Sequence, residues 1–148
     1  MILDANLSWI ETEITADHFA LDNVQSDIAT NALIAQGVNQ FSDQVQIARA
    51  AEITNVKGNE LAKTPNFTAN LALTWEGYVE NWGELSNSLQ YIYRGDFKHR
   101  MFNNPLTDMV PDYEVLDFVL GFTPQSNNDL RFEFVAKNLT DEDGTNAR

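Results

Sequence analysis

Four stretches of this 148-residue chain, FTANLALTW (67–75), LSNSLQYIY (85–93), LDFVLGF (116–122) and LRFEFVA (130–136), alternate large apolar side chains with small or polar ones. Successive side chains along a strand point to opposite faces, so this period of two predicts strands. The connections between them alternate long and short. Together these observations predict an all-β fold of about five antiparallel strands: an antiparallel up-and-down transmembrane β-barrel segment with long loops at one end and short turns at the other, or a half-buried soluble sheet, between which alternation alone does not choose.

The first strand is expected over residues 2–14, with Leu3, Ala5, Leu7 and Trp9 on one face and Asp4, Asn6 and Ser8 on the other. Its apolar positions change parity near Ile10, which marks either a bulge or the point where the strand leaves the apolar layer. A long polar loop, 16–65, follows. Within it SDIATNALIAQG offers Ser26 or Asp27 as an N-cap and Gly37 as a stop, and SDQVQIARAA offers Ser42 as a second cap, so two short helices are expected.

The second and third strands are expected at 66–79 and 84–95, joined by a short turn. Pairing Trp75 with Leu85, Leu71 with Leu89 and Phe67 with Tyr93 keeps their apolar faces together, whereas a slip of one residue inverts a face. The polar segment 96–111 leads to a fourth strand at 113–123, and PQSNND turns the chain into a fifth at 129–138. Val119 opposite Glu133 and Gly121 opposite Arg131 keep this hairpin consistent. The resulting apolar face carries Leu71, Leu73, Leu89, Phe118, Leu120, Phe132 and Phe134 toward lipid. The opposite face is mostly Thr, Ser, Asn, Gln and charge, and its Asp117, Arg131, Glu133 and Lys137 read as a mutually satisfied ladder lining a wet lumen. Trp75, Tyr78, Trp82 and Phe122 fall near the short turns, while Tyr91, Tyr93, Phe97 and Tyr113 fall beneath the long loops, as two interfacial aromatic groups would.

Composition narrows the function classes. A net charge of −13 with nine scattered basic residues argues against nucleic acid, which requires clustered Lys and Arg. The absence of cysteine removes disulfides, thiolate chemistry and Cys-based zinc sites. No run reaches the roughly 18 apolar residues of a membrane helix, but membrane strands need only about 9–11 residues. The chain starts without a basic, apolar export signal, so any such signal is expected upstream. A half-buried sheet in a soluble protein alternates too, and a soluble acidic β-sandwich binding carbohydrate or protein is the competing reading.

The segments NELAKTPNFTANLALTWEG, LQYIYRGDF, VPDYEVLDFVLGFT and LRFEFVAKNLTDED resemble the C-terminal barrel of TonB-dependent outer-membrane receptors. Gly58, Leu61 and Pro65, then Tyr93 and Gly95, then Tyr113 and Asp117, and finally Asn138, Leu139, Thr140 and Asp141 match, in order, motifs of that family. The last is the most specific. The chain departs from the pattern at Gly144, where an aromatic residue is common. The resemblance implies an outer-membrane protein of about 22 strands that imports a scarce nutrient, such as an iron–siderophore complex. It further implies a plug and a TonB-coupling segment upstream, a final strand beyond the chain, ligand capture by the loops 16–65, 96–111 and 139–148, and no cofactor.

Other groupings have plainer explanations. His18 and His99 lie in separate loops and read as solvated side chains. The run from Asp141 to Asn146 resembles a calcium loop faintly, but Leu139 stands where the first ligand belongs. Three Asn-x-Ser/Thr sequons lie in or beside strands, where glycosylation is not expected. No nucleophile elbow, catalytic triad or phosphate-binding glycine loop is present, so no enzymatic activity is expected.

Overall fold

A computed structural model of the chain describes residues 1–127 and 129–142. In chain order the elements are β1 (Ile2–Trp9), β2 (Phe19–Leu21), α1 (Asn23–Ala35), α2 (Asp43–Ala51), β3 (Ile53–Asn55), β4 (Phe67–Val79), β5 (Gly83–Arg94), β6 (Phe97–Lys98), β7 (Met109–Val110), β8 (Tyr113–Pro124) and β9 (Phe132–Ala136). The chain divides into two compact units. One holds residues 1–10, 65–97 and the chain from 110 onward; the other holds 11–64 and 98–109. Among the described residues no helix is long and apolar enough to cross a membrane.

The first unit is a five-stranded antiparallel sheet in the order β1-β4-β5-β8-β9, open at both edges. Its strands are sequential neighbours, the up-and-down order that short hairpins produce. Strand lengths differ from expectation mainly at the ends. β1 stops at Trp9, and the parity change at Ile10 is its exit from the sheet: the Ile14 N–H already donates to Asn59 O in the other unit's own fold, at 2.8 Å. β9 begins at Phe132; before it, Asn127 Oδ1 accepts the Asp129 N–H at 3.0 Å.

Both expected hairpin registers keep the correct faces but are displaced by two residues. Leu71 faces Tyr91 and Leu73 faces Leu89, and Val119 faces Val135 and Gly121 faces Glu133. In the first hairpin the reason lies in the turn. Asn81 (φ 64°) and Gly83 (φ 136°) adopt backbone angles that Asn and Gly reach most readily, so the turn centres on Asn81. A Cβ at Gly83 would also lie 2.1 Å from Thr123 O, so β8 packs directly against this position.

The second unit holds the two helices and the β2–β3 ladder. α1 is capped by Asp22, not by Ser26 or Asp27: its Oδ1 accepts from the Val24 and Gln25 N–H groups at 3.1 and 3.3 Å. Asp22 sits one turn earlier than the apolar pattern suggests, and so outcompetes the later candidates for the first free N–H groups. At the other end Gly37 N–H bonds Ile34 O and Val38 N–H bonds Leu33 O, the paired bonds of a Schellman stop. Ser42 occupies the N-cap position of α2 without a capping bond from its side chain.

Replacing Gly83 by alanine is expected to destabilise the β4–β5 hairpin by on the order of 1–3 kcal/mol, the cost of holding a side chain in that region of φ/ψ. Denaturant unfolding of the folded protein measures it, and an unchanged midpoint would contradict the turn described here.

Candidate functional site

The sheet is two-faced, and neither face is a conventional core. Reading across β1, β4, β5, β8 and β9, one face carries the rows Ala5–Leu71–Tyr91–Leu116, Leu3–Leu73–Leu89–Phe118–Ala136, Trp75–Asn87–Leu120–Phe134 and Gly77–Leu85–Phe122–Phe132. All seven residues expected to face lipid lie in these rows, and Asn87 is a polar break within them. Leu3 and Leu7 remain 66% and 63% exposed, Phe132 and Phe134 58% and 61%, and Leu89 in the central strand 37%. Among the described residues of this unit only Ala69, Phe97 and Val110 are buried apolar side chains. Burying apolar surface is worth about 25 cal/mol per Å2, so a continuous uncovered face of this size needs an apolar medium or partner.

The opposite face carries Asp4–Ala72–Gln90–Asp117, Asn6–Asn70–Ile92–Val115 and Glu76–Ser86–Gly121–Glu133. Asp4, Asn6, Asn70, Ala72 and Gln90 line a depression of about 410 Å3, with Gln90 Nε2 donating to Asn70 Oδ1 at 3.4 Å. Ile92, Val115, Val119 and Val135 also lie on this side, so it is less uniformly polar than the sequence pattern alone suggests.

The expected charge ladder does not form as one network. Arg131 pairs with Glu133 at 3.0 Å and donates to Ser86 Oγ at 3.2 Å, joining the turn to β5. Asp117 instead accepts the Asn138 N–H at 2.8 Å, and Lys137 forms no ion pair with the described residues. The displaced register, continued by one pair, would bring Lys137 opposite Asp117, but β9 ends at Ala136 and Asp117 accepts the Asn138 N–H instead.

Asn138 turns the chain sharply (φ 52°) and builds a compact lock on the start of β8. Its Oδ1 accepts the Glu142 N–H at 3.1 Å, Leu139 N–H donates to Leu116 O at 2.8 Å, and Thr140 Oγ1 donates to Glu114 O at 2.8 Å. The Asp141 N–H closes the turn on Asn138 O at 3.0 Å. At the same end, Trp9, Phe67 and Tyr93 stack in a tilted series with centroids 6.0 Å apart, and the Tyr91 and Tyr93 hydroxyls donate to Glu114 and Asp112. Phe97 is 5% exposed and shares the Arg94 guanidinium with Tyr113, 4.1 Å from the Phe97 ring centroid and 5.8 Å from that of Tyr113. Both long connections and the chain after β9 leave the sheet at this end.

Within the other unit the organising group is Arg100. Its Nη1 lies 2.6 Å from Asp22 Oδ1 and its Nε 2.7 Å from Asp108 Oδ1, with Nη2 reaching Asp108 and Thr107. Asp108 is fully buried and also accepts the Asn104 N–H at 3.0 Å. Burial acts to lower the Arg100 pKa, but the hydrogen bonds and charges of Asp22 and Asp108 outweigh it and hold the guanidinium above its ordinary value. No motif identifies this triad, since its members stand far apart in sequence and none lies in a recognisable spacing. His18 and His99 contribute backbone bonds here, His18 N–H to Asn55 Oδ1 and His99 N–H to Asp108 O. Among the described residues no three acidic or histidine side chains are grouped to hold a metal, and the run to Asn146 extends outside the described residues.

Comparison with protein families matches residues 5–139 to the family described as TonB dependent receptor-like, beta-barrel. The chain belongs to the TonB-dependent receptors. It forms part of the barrel of an outer-membrane receptor. No curated protein and no solved structure gives a match.

Seen in a receptor barrel, two of the motifs interlock: the aspartate of Tyr113-x-x-x-Asp117 holds the first residue of Asn138-Leu139-Thr140-Asp141. The Tyr93-x-Gly95 motif marks a close approach, since the Gly95 N–H donates to Phe67 O at 2.8 Å and a Cβ there would lie 3.0 Å from that oxygen. Asp117→Ala is therefore expected to release the lock at a cost of about 1 kcal/mol. Amide exchange at Asn138 and Leu139 in the receptor should accelerate, and exchange matching the wild type would contradict the assignment.

Proposed function

We propose that this chain is part of an outer-membrane active transporter that imports a scarce nutrient, in the first instance an iron–siderophore complex, with energy from the TonB complex. In this reading Leu71, Leu73, Leu89, Phe118, Leu120, Phe132 and Phe134 face the lipid, and Asp4, Asn70, Gln90, Asp117 and Glu133 face a watery lumen. The observation that carries it is the five-strand apolar face left without cover within its own unit. A bilayer supplies that cover and requires that each backbone N–H and C=O be paired within the sheet.

The edges follow the same logic. Among the described residues β1 and β9 each pair on one side only, and unpaired backbone groups in hydrocarbon cost several kcal/mol each. Neighbouring strands of a larger barrel satisfy them. The tyrosines near the loop end suit an interface, where the ring sits at the apolar boundary and the hydroxyl meets polar partners such as Glu114 and Asp112. The loops capture ligand, movement of a plug supplied by another part of the receptor admits it, and the chain itself carries no catalytic role.

Paired substitutions in the full receptor test the facing. Leu120→Arg is expected to destabilise the barrel in lipid by up to about 2–4 kcal/mol, the cost of a guanidinium on the lipid face near the midplane. Ser88→Arg, on the other face, should cost much less. Equal effects, or a wild-type chain that is monodisperse without detergent, would contradict the membrane reading in favour of a soluble sheet. Specificity for iron is tested separately by uptake of a radiolabelled ferric siderophore: loss of uptake on deletion of the receptor is expected, and unchanged uptake under TonB-competent conditions would assign a different nutrient.

A further inference from the structure

We infer that Arg100 is a positioning residue that couples the two long connections of the barrel into one ligand-capturing body. The inference rests on the import reading for its functional meaning and on the geometry of the loop unit alone for its substance. The two connections, 10–66 and 95–112, are separated in the sequence by the β4–β5 hairpin, and independent loops of this length would each fluctuate on their own. Here they share one buried charge cluster.

Asp22 belongs to the first connection and Asp108 to the second, and the Arg100 guanidinium bridges them at 2.6 and 2.7 Å. The planar fork suits this task, because its separate N–H groups satisfy two carboxylates in fixed directions. Each carboxylate in turn organises its own segment: Asp22 caps α1 through Val24 and Gln25, and Asp108 holds the Asn104 N–H and the Thr107 hydroxyl. With side chains exposed by only 18% for Arg100, 7% for Asp22 and 0% for Asp108, removing one member leaves a buried charge short of a partner. Two backbone-directed bonds run alongside the cluster, Lys63 N–H to Lys98 O at 2.7 Å and Asn59 Nδ2 to Met101 O at 2.8 Å. A contact that orders either connection is therefore felt by the other.

The test is amide hydrogen exchange on the full receptor without ligand, so that its outcome is independent of what the receptor imports. Asp22→Asn keeps a good N-cap and the side chain's shape but removes the charge that meets Arg100. It should accelerate exchange at Asn104 and Asp108, on the far connection, as well as in α1. Arg100→Met should accelerate both segments together, by on the order of a hundredfold if the buried pairing is lost. Acceleration confined to residues 22–30 in Asp22→Asn would overturn the coupling and leave Asp22 as a helix cap only. Should Arg100→Met fail to assemble, the Asp22→Asn result decides the matter by itself. Failure of the import reading would appear elsewhere, as unchanged nutrient uptake on deletion of the receptor, with the exchange pattern intact.

Discussion

The structure depends on one constraint, the pairing of backbone polar groups across a sheet whose apolar side is left without cover by the described residues of its own unit. In water such a sheet would gain from curling over its own leucines and phenylalanines or from recruiting a second layer. Neither is present in the sheet unit, where Ala69, Phe97 and Val110 are the buried apolar residues among those described. In hydrocarbon the priorities reverse. Apolar side chains need no cover, while each N–H and C=O must be satisfied by a neighbouring strand. The long ladders of β4 with β5 and of β5 with β8, each 12 pairs long, meet that requirement through the middle of the sheet.

The same constraint explains why the ends of the strands are elaborate and their middles plain. Where the chain leaves the ladder, backbone groups must find other partners. At the loop end they find Asp117 and the Asn138 turn, and at the turn end they find Trp82 O, which accepts the Gln125 N–H at 2.9 Å. The motifs that identify the family are concentrated at these exits. Asn138 tolerates a positive φ and offers a short amide to the chain beyond it, and Thr140 reaches back to a strand carbonyl. Their recurrence as a motif has a geometric meaning, since they close the ladder where it stops.

The faces were legible in the sequence because strand parity is insensitive to everything except odd slips. Displacing both hairpins by two residues left every apolar side chain on its expected side. Register itself was not legible, because in the first hairpin it is set by turn backbone at Asn81 and Gly83, which alternation does not encode. The helices were legible as helices, yet the cap fell at Asp22, whose carboxylate also serves Arg100. That double service is a tertiary fact: Arg100 is 78 residues away, and nothing in the local pattern marks it. For the same reason Asp117 and Glu133 were legible as residues of one strand face, but the charges at 117, 131, 133 and 137 were not legible as partners. Asp117 binds a backbone N–H and Arg131 closes a turn.

The central claim is that one side of this sheet meets lipid and the other meets water. This part of the receptor contains no cysteine, and single cysteines can be introduced one at a time in β8 from Leu116 to Phe122, with the receptor carrying no added cysteine as the blank. Spin labels attached there, in the receptor reconstituted in lipid vesicles, report collision with oxygen, which concentrates in the bilayer, and with a water-soluble nickel chelate. The account predicts strict alternation: oxygen contact at 116, 118, 120 and 122, and chelate contact at 117, 119 and 121. Uniform accessibility along the strand, or alternation of the opposite phase, would contradict it.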